Sequence, residues 1–232
     1  MTGQQIAVAA HDGGRFNAYH AALASGRGPG VVSAQEIFGV NNALRASADG
    51  LASKGFTVLV PDLFWRLEPG VDLGYGDADR QKAMALMGKF DAAQGVADIG
   101  AAVTALRAHP SCNGKVAVVG FCLGGTLAYL AAARLGVDAA VSYYGTAIHQ
   151  HLGEAPSIRC PLLLHFAGND AFVPPPAVAS IRESFAGRAD VAMHVYPGVN
   201  HAFANIDRAG IYDREAATLA HERTEALLRR LA

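Results

Sequence analysis

An uncharged stretch over residues 116–133 places the strongest single constraint on how this chain folds. Its length is that of a short membrane span, but three glycines interrupt it near its start. Residues 116–119 are mostly β-branched, which favours a strand, whereas residues 126–134 are rich in Ala and Leu, which favours a helix. The stretch therefore predicts a strand, a tight turn and a helix, and not a membrane span.

The rest of the chain alternates short apolar runs with helical patterns. Residues 6–10 and 16–22 flank a turn-like segment and predict an opening hairpin. Further strands are predicted at 31–34, 57–60, 139–143, 162–166 and 191–196. Helices are predicted near 42–54, within 79–87, near 93–108 and at about 213–231, the last with Ala216, Ala220, Leu227 and Leu231 on one face.

This alternation predicts an α/β fold with a mostly parallel central sheet and helices on both faces. The opening hairpin is expected to add an antiparallel edge. We find no linker or internal repeat, and α/β domains often reach 232 residues as one unit. Residues 1–232 are therefore expected to form a single domain, and we expect it to be a monomer.

The charge balance excludes several classes of partner. The chain has 19 Lys and Arg against 20 Asp and Glu, so its formal net charge is -1. Such a chain has no global field that would attract nucleic acid or an anionic membrane. Three cysteines are too few for a disulfide framework, and the N-terminus lacks a secretory pattern. We expect a cytoplasmic protein that binds a small molecule, with local capture of any anionic group.

The turn inside the uncharged stretch has the sequence GFCLG over residues 120–124. A strand, a sharp turn flanked by glycines and a helix make up a nucleophile elbow, here with Cys122 where Ser is more usual. The helix N-terminus favours the thiolate, and the amide of Leu123 can point towards a developing oxyanion. The alternative is a buried Cys122 acting as a small hydrophobic residue. Cys112 and Cys160 lack this context, and we expect them to be inert.

Two further candidates follow later strands. Asp170 comes just after the strand at 162–166, and His201 just after the strand at 191–196. Ligands gather at the carboxyl ends of parallel strands, and the order nucleophile, acid, histidine is that of an α/β-hydrolase triad. Glu36 follows the strand at 31–34, and the amide of Ile37 is placed as a second oxyanion donor by the usual topology. A solvated loop carboxylate is the alternative for Glu36.

Several segments together resemble the dienelactone hydrolase (carboxymethylenebutenolidase) family of the α/β-hydrolase fold. They are residues 35–41 (QEIFGVN), 61–63 (PDL), 120–125 (GFCLGG), 143–145 (YYG), 168–170 (GND) with 173–174 (VP), and 198–203 (GVNHAF). The resemblance implies hydrolysis of a conjugated, carboxylated enol-lactone to maleylacetate in the breakdown of chlorinated catechols, with no metal or organic cofactor. It maps the triad onto Cys122, Asp170 and His201, an auxiliary glutamate that helps to form the thiolate onto Glu36, and the oxyanion amides onto Ile37 and Leu123.

The same resemblance implies two arginines that bind the substrate carboxylate. Arg80 matches one, and a guanidinium can bind a carboxylate in a bidentate manner. At the second position this chain has Asn205, and the residue after the histidine, commonly a hydroxyl residue, is Ala202. Arg208 and Arg66 are the alternatives for the missing cation. These departures leave open a different, less anionic ester or lactone as substrate.

Two other readings stay open from the sequence. One is a non-catalytic ligand-binding or thiol-sensing protein in which Cys122 is simply oxidised. The other is a metal site at His149 and His151, although no acid or third ligand has suitable spacing.

Overall fold

The computed structural model describes residues 3–232. Two compact units make up the described chain: the first ends at Ala117 and also includes Ala232, and the second is Val118–Leu231. The single domain expected from the sequence therefore stays a prediction.

The first unit contains four complete strands and the beginning of a fifth. They are β1 (Gln4–Ala9), β2 (Arg15–Ala21), β3 (Gly28–Ala34), β4 (Thr57–Pro61) and β5 (Cys112–Phe121), in the spatial order β1-β2-β4-β3-β5. β2 pairs antiparallel with both β1 and β4, whereas β3 and β4 are parallel. Every residue of β3 is buried, as expected for a strand inside a parallel sheet. The predicted opening hairpin is thus confirmed.

Three helices complete the first unit: α1 (Asn42–Ser53), α2 (Asp77–Met87) and α3 (Ala92–Arg107). The side chain of Asn41 caps α1 by accepting from the amide of Leu44, and Asp91 caps α3 in the same way. The helix α2 begins after Gly76 without a side-chain cap. Asp77 and Asp79 lie in its first turn, where their negative charges interact favourably with the positive end of the helix dipole.

The uncharged stretch forms the predicted strand, turn and helix. β5 ends at Phe121, Cys122 is the turn, and α4 (Leu123–Arg134) follows at once. All residues of α4 from Leu123 to Ala132 are buried, which explains why the segment carries no charge. Within residues 3–232, no helix is long and apolar enough to span a membrane.

The second unit continues with β6 (Ala139–Tyr143), β7 (Leu162–Ala167) and β8 (Val191–Tyr196), in the order β5-β6-β7-β8. β6 pairs with β7, and β7 with β8, in parallel register. Two helices, α5 (Pro175–Ser184) and α6 (Arg214–Leu228), and short 3-10 segments complete the unit. The predicted α/β fold with mostly parallel strands and an antiparallel N-terminal hairpin is confirmed.

Two helical details differ from the sequence prediction. α5 was not predicted, because it buries only Ala177 and Ile181 and so leaves a weak apolar pattern. In α6 the predicted apolar face is partly wrong, since Leu227 is half-exposed and Thr224 and Leu228 are buried.

Candidate active site

Cys122 occupies a strained turn between β5 and α4. Its φ and ψ angles are 55° and -114°, a conformation that non-glycine residues rarely adopt. Its amide donates to the carbonyl of Tyr143 at 3.0 Å, and its carbonyl accepts from Thr126 at 3.2 Å. The side chain is half-exposed. The backbone thus holds the thiol out of the sheet at the start of a helix.

The glycines around Cys122 are required by close backbone contacts. A Cβ atom at Gly120 would lie 1.8 Å from the carbonyl oxygen of Gly124. A Cβ atom at Gly125 would lie 2.6 Å from the carbonyl oxygen of Tyr143. Both distances are far below van der Waals contact, so no other residue fits without a backbone shift.

The helix α4 begins at Leu123, immediately after the thiol. The amides of a helical first turn have no acceptor within the helix, and the helix dipole places partial positive charge there. The Leu123 amide belongs to this first turn, and an amide of this kind can donate a hydrogen bond to an oxyanion.

Asp170 and His201 form a buried hydrogen-bonded pair. Nδ1 of His201 lies 2.7 Å from Oδ2 of Asp170, whose side chain is fully buried. The other carboxylate oxygen, Oδ1, accepts from the amides of Phe172 at 2.8 Å and Val173 at 3.3 Å. These two amides fix the carboxylate rotamer, so that Oδ2 is presented to the imidazole.

The loops that carry Asp170 and His201 are joined by main-chain hydrogen bonds. The amide of Asn169 donates to the carbonyl of Val199 at 2.9 Å, and that of Gly168 donates to Tyr196 at 2.7 Å. A Cβ atom at Gly168 would lie 2.8 Å from the Tyr196 carbonyl oxygen. Glycine at this position therefore permits the close approach that brings the acid and the histidine together.

The imidazole of His201 is packed between two aromatic rings, with Nε2 left without a partner. Phe172 and Tyr144 each contact it edge to face, with ring centroids 4.9 Å away. Among the described residues, the buried Nε2 atom makes no hydrogen bond of good geometry. Burial lowers the pKa of His201, but the hydrogen bond to Asp170, the nearby thiol of Cys122 and the negative charges of both groups raise it to about 10. Cys122, His201 and Asp170 thus come together within the second unit.

Backbone strain is concentrated at this site. In the described part of the chain, the non-glycine residues with positive φ are Cys122, Tyr144 at 41° and Ala202 at 68°. The first is the elbow, the second contacts the ring of His201, and the third follows His201. Strained residues persist only where the surrounding structure holds them, and they gather at functional sites.

The remaining predicted residues divide between the two units. Glu36 and Ile37 directly follow β3 in the first unit, where Glu36 is only 9% exposed. Arg80 is exposed on the first turn of α2, also in the first unit. Asn205 is in the second unit, and its Oδ1 accepts from the amide of Asp207 at 3.1 Å. The functional roles of these residues stay predictions.

One alternative for the missing cation is already bound elsewhere. Arg66 donates from Nε and Nη2 to both carboxylate oxygens of Asp98, at 3.1 and 2.8 Å. Its guanidinium lies 4.2 Å from the ring centroid of Trp65, and it also pairs with Asp12. Asp98 is only 1% exposed, so Arg66 compensates a buried charge. Arg66 is therefore held by a buried carboxylate, and its role as a substitute for the second arginine stays a prediction.

Sequence reasoning assigned no role to Gln35 or Phe172. Gln35 is fully buried, and its Oε1 accepts from the amide of Leu63 at 3.0 Å. Its Nε2 atom has no partner among the described residues. Phe172 is 54% exposed beside His201, which is unusual for a large apolar side chain. The sequence pointed to these two residues only through their positions, since Gln35 precedes Glu36 and Phe172 lies two residues after Asp170.

The other cysteines are buried and not disulfide-bonded. Cys112 and Cys160 are free thiols, and burial raises the pKa of Cys160 to about 11. Cys160 therefore stays a neutral thiol at physiological pH. Within residues 3–232, no group of three or more His, Cys, Asp and Glu side chains could hold a metal ion.

The chain is similar to known hydrolases in sequence and in fold. The model of the dienelactone hydrolase family matches residues 16–232. Carboxymethylenebutenolidase of Pseudomonas putida is 40% identical over 224 residues, covering 96% of this chain and 94% of that protein. Carboxymethylenebutenolidase 1 of Cupriavidus pinatubonensis is 37% identical over 229 residues, covering 98% of this chain and 97% of that protein. A solved candidate dienelactone hydrolase from Klebsiella pneumoniae has a TM-score of 0.86 at 27% identity and covers 98% of each chain.

Proposed function

This chain belongs to the dienelactone hydrolase family and is a hydrolase of ester or lactone bonds, and on that premise we propose that it opens an enol-lactone with Cys122 as nucleophile. His201 and Asp170 complete the proposed triad. The observation that carries this proposal is the strained Cys122, held at a helix start beside a histidine that is hydrogen-bonded to a buried carboxylate. The proposed substrate is a small molecule that the enzyme hydrolyses in the cytoplasm.

The proposed reaction proceeds in two steps. The Cys122 thiolate attacks the lactone carbonyl, and the amides of Ile37 and Leu123 stabilise the oxyanion. The tetrahedral intermediate then collapses with cleavage of the ring C–O bond, which releases an enolate that remains part of the acyl group. The proton of the His201 imidazolium converts the enolate into the ketone and leaves the imidazole neutral. Water then attacks the thioester, and the carboxylate product and the thiolate are released.

The pKa of His201 is suited to both steps. Burial lowers this pKa, whereas the interactions with Asp170 and Cys122 raise it to about 10. The imidazolium is therefore favoured while Cys122 carries its negative charge. Acylation removes that charge, and with it the contribution of Cys122 to the raised pKa. His201 then loses its proton more easily and can act as general base towards water.

Glu36 and Arg80 are proposed to serve the substrate side of the reaction. Glu36 is nearly buried, and its proposed role is to help form the thiolate when substrate arrives. Arg80 is exposed on α2 and, within residues 3–232, forms no ion pair. Its guanidinium is therefore free to bind a substrate carboxylate in a bidentate manner.

A less anionic substrate is the second candidate. Where the family has a second arginine, Asn205 shapes a turn through its contact with Asp207. Large apolar side chains are exposed on the same unit, Phe172 by 54% and Ile206 by 66%. Both lie on the segments that follow Asp170 and His201. An uncharged ester or lactone with an apolar group fits this surface better than a carboxylated lactone does.

Steady-state kinetics on matched lactones test the substrate class. A dienelactone, an uncharged lactone of the same size and p-nitrophenyl acetate are compared for the wild type and Arg80→Ala. We expect Arg80→Ala to raise the KM for the dienelactone on the order of a hundredfold, and to spare the other two, because only the charged pair is lost. Lys82→Ala, on the same helix and paired with Glu68, is the control.

Equal losses of Arg80→Ala on charged and uncharged substrates would argue against carboxylate binding. A wild type that prefers the uncharged lactone supports the second candidate.

A further inference from the structure

A chain of buried polar side chains links three strands of the second unit to α6. From β6, the hydroxyl of Tyr143 lies 2.6 Å from Oγ1 of Thr224 on α6. The same Oγ1 lies 3.1 Å from Nε2 of His165 on β7, whose Nδ1 lies 2.9 Å from the hydroxyl of Tyr196 on β8. Nη1 of Arg223 then donates to the Tyr196 hydroxyl at 3.0 Å. We call these five residues the α6 network.

The α6 network has a defined direction of hydrogen bonding. The guanidinium of Arg223 has no acceptor, so it must donate to the oxygen of Tyr196. Within the described residues, the Tyr196 hydroxyl donates its proton to Nδ1 of His165. Nδ1 is therefore unprotonated, and Nε2 carries the proton that it donates to Thr224. The half-buried Arg223 thus sets the tautomer of a fully buried histidine.

His165 must be neutral for this arrangement. An imidazolium would donate from both nitrogens and would compete with the hydroxyl proton of Tyr196. Burial lowers the pKa of His165 well below its usual value, and the nearby charges of His194, Arg223 and His221 lower it further. Tyr143 and Tyr196, the other titratable groups facing it, have pKa values raised by burial and are neutral.

The strand residues of the α6 network also hold the candidate active site through their main chains. The carbonyl of Tyr143 accepts from the amide of Cys122 at 3.0 Å. The carbonyl of His165 accepts at 2.7 Å from the amide of Tyr144, whose ring contacts His201. The carbonyl of Tyr196 accepts at 2.7 Å from Gly168, on the loop that leads to Asp170. Tyr143, His165 and Tyr196 therefore each belong to the α6 network through their side chains and hold the candidate active site through their main-chain carbonyls.

We propose that the α6 network fixes the relative positions of the ends of β6, β7 and β8, whose main chains hold the segments of Cys122, Asp170 and His201, with Thr224 as its central positioning residue. The kinetic consequence rests on the proposed function of these three residues. A buried polar network of this kind specifies one arrangement, because every alternative leaves a buried donor or acceptor without a partner. An apolar contact between α6 and the strands would impose no such requirement on the strand ends.

Two substitutions of Thr224 separate positioning from packing. Thr224→Val keeps the shape and removes the hydroxyl, whereas Thr224→Ser keeps the hydroxyl and removes a methyl group. We expect Thr224→Val to lower kcat on p-nitrophenyl acetate on the order of tenfold while KM stays within about twofold, because displaced reacting groups slow the chemistry. Thr224→Ser is expected to stay within about twofold of the wild-type kcat. A Thr224→Val enzyme with wild-type kcat and KM overturns the proposal, whatever its melting temperature.

Nitrogen-15 NMR of the histidine side chains tests the α6 network without reference to activity. In the wild type at neutral pH, we expect His165 to show a protonated Nε2 and an unprotonated Nδ1. Arg223→Met is expected to give a mixture of tautomers, whereas Arg230→Met, in the exposed final segment, is the control. A protonated Nδ1 in the wild type overturns the network. Turnover that survives in Cys122→Ala would instead contradict the proposed function and leave these signals unchanged.

Discussion

Nδ1 of His201 lies 2.7 Å from Oδ2 of Asp170, across two loops that follow neighbouring parallel strands. Asp170 also accepts two main-chain hydrogen bonds at its other oxygen, and these bonds hold the carboxylate in place independently of the imidazole. The pair therefore determines the tautomer of His201: Nδ1 carries a proton, and Nε2 faces the side of Cys122.

The first prediction concerns this tautomer. In Asp170→Asn the amide can present its NH₂ group to Nδ1, which moves the imidazole proton to Nε2. We expect kcat to fall about 10³- to 10⁴-fold with a small change in KM, because the base is then in the wrong tautomer. Steady-state kinetics measure it. The matched control is Asp190→Asn, which breaks an exposed pair with Arg188; a similar kcat in both variants would contradict the assignment.

The second prediction concerns pH and stability. The pKa of His201 is about 10 in the folded protein and about 6.5 when the chain is unfolded. The folded state therefore binds the proton more tightly. The stabilisation is complete below about pH 6.5 and is lost as the pH rises towards about 10. Chemical denaturation over this range should show the free energy of unfolding falling with pH.

Cys122→Ala isolates this contribution. The variant removes the thiol of Cys122 and its negative charge, which raise the pKa of His201. We expect the decline in the free energy of unfolding to be smaller and to finish at a lower pH than in the wild type. Identical pH dependence in the two proteins would show that Cys122 does not act on His201.

The third prediction concerns the glycine before the elbow. Gly120→Ala places a Cβ atom 1.8 Å from the Gly124 carbonyl oxygen, and the buried backbone has no room to relax. We expect little or no folded protein by circular dichroism. Gly50→Ala, in an exposed position of α1 with nothing within 4 Å, should raise the stability by about 0.5–1 kcal/mol. A Gly120→Ala protein with the wild-type melting temperature would contradict the close approach.

The fourth prediction separates two arginines. Arg66→Met leaves Asp98 buried without its cation, and we expect a loss of about 3–5 kcal/mol in the free energy of unfolding. Urea denaturation measures this loss. The KM for a carboxylated lactone should be unchanged in the same variant. A selective rise in that KM with normal stability would show that Arg66 contacts substrate after all.

The sequence was most informative where one local pattern determines both structure and chemistry. Residues 116–134 predicted the strand, turn and helix around Cys122, because the strand-forming, turn-forming and helix-forming residues follow one another within a single segment. The positions of Asp170 and His201 after strands predicted that they would meet, since the carboxyl ends of parallel strands lie at one edge.

Contacts between distant residues could not be predicted in this way. Thr224 was not predicted on the buried face of α6, and its burial depends on Tyr143 and His165, which are hydrogen-bonded to its hydroxyl. Leu227 was predicted on that face and is half-exposed. The sequence left Arg66 open as a substrate ligand and gave no sign of its pairing with Asp98 on α3.

The central claim is that Cys122 is the nucleophile, and the turnover of Cys122→Ala tests it most directly. Initial rates on p-nitrophenyl acetate and a dienelactone are compared with those of the wild type and of Cys160→Ala, which removes a buried neutral thiol. We predict that Cys122→Ala folds, by circular dichroism, and has no activity above the uncatalysed rate, while Cys160→Ala remains active. A folded Cys122→Ala protein that hydrolyses either substrate at the wild-type rate would contradict the account.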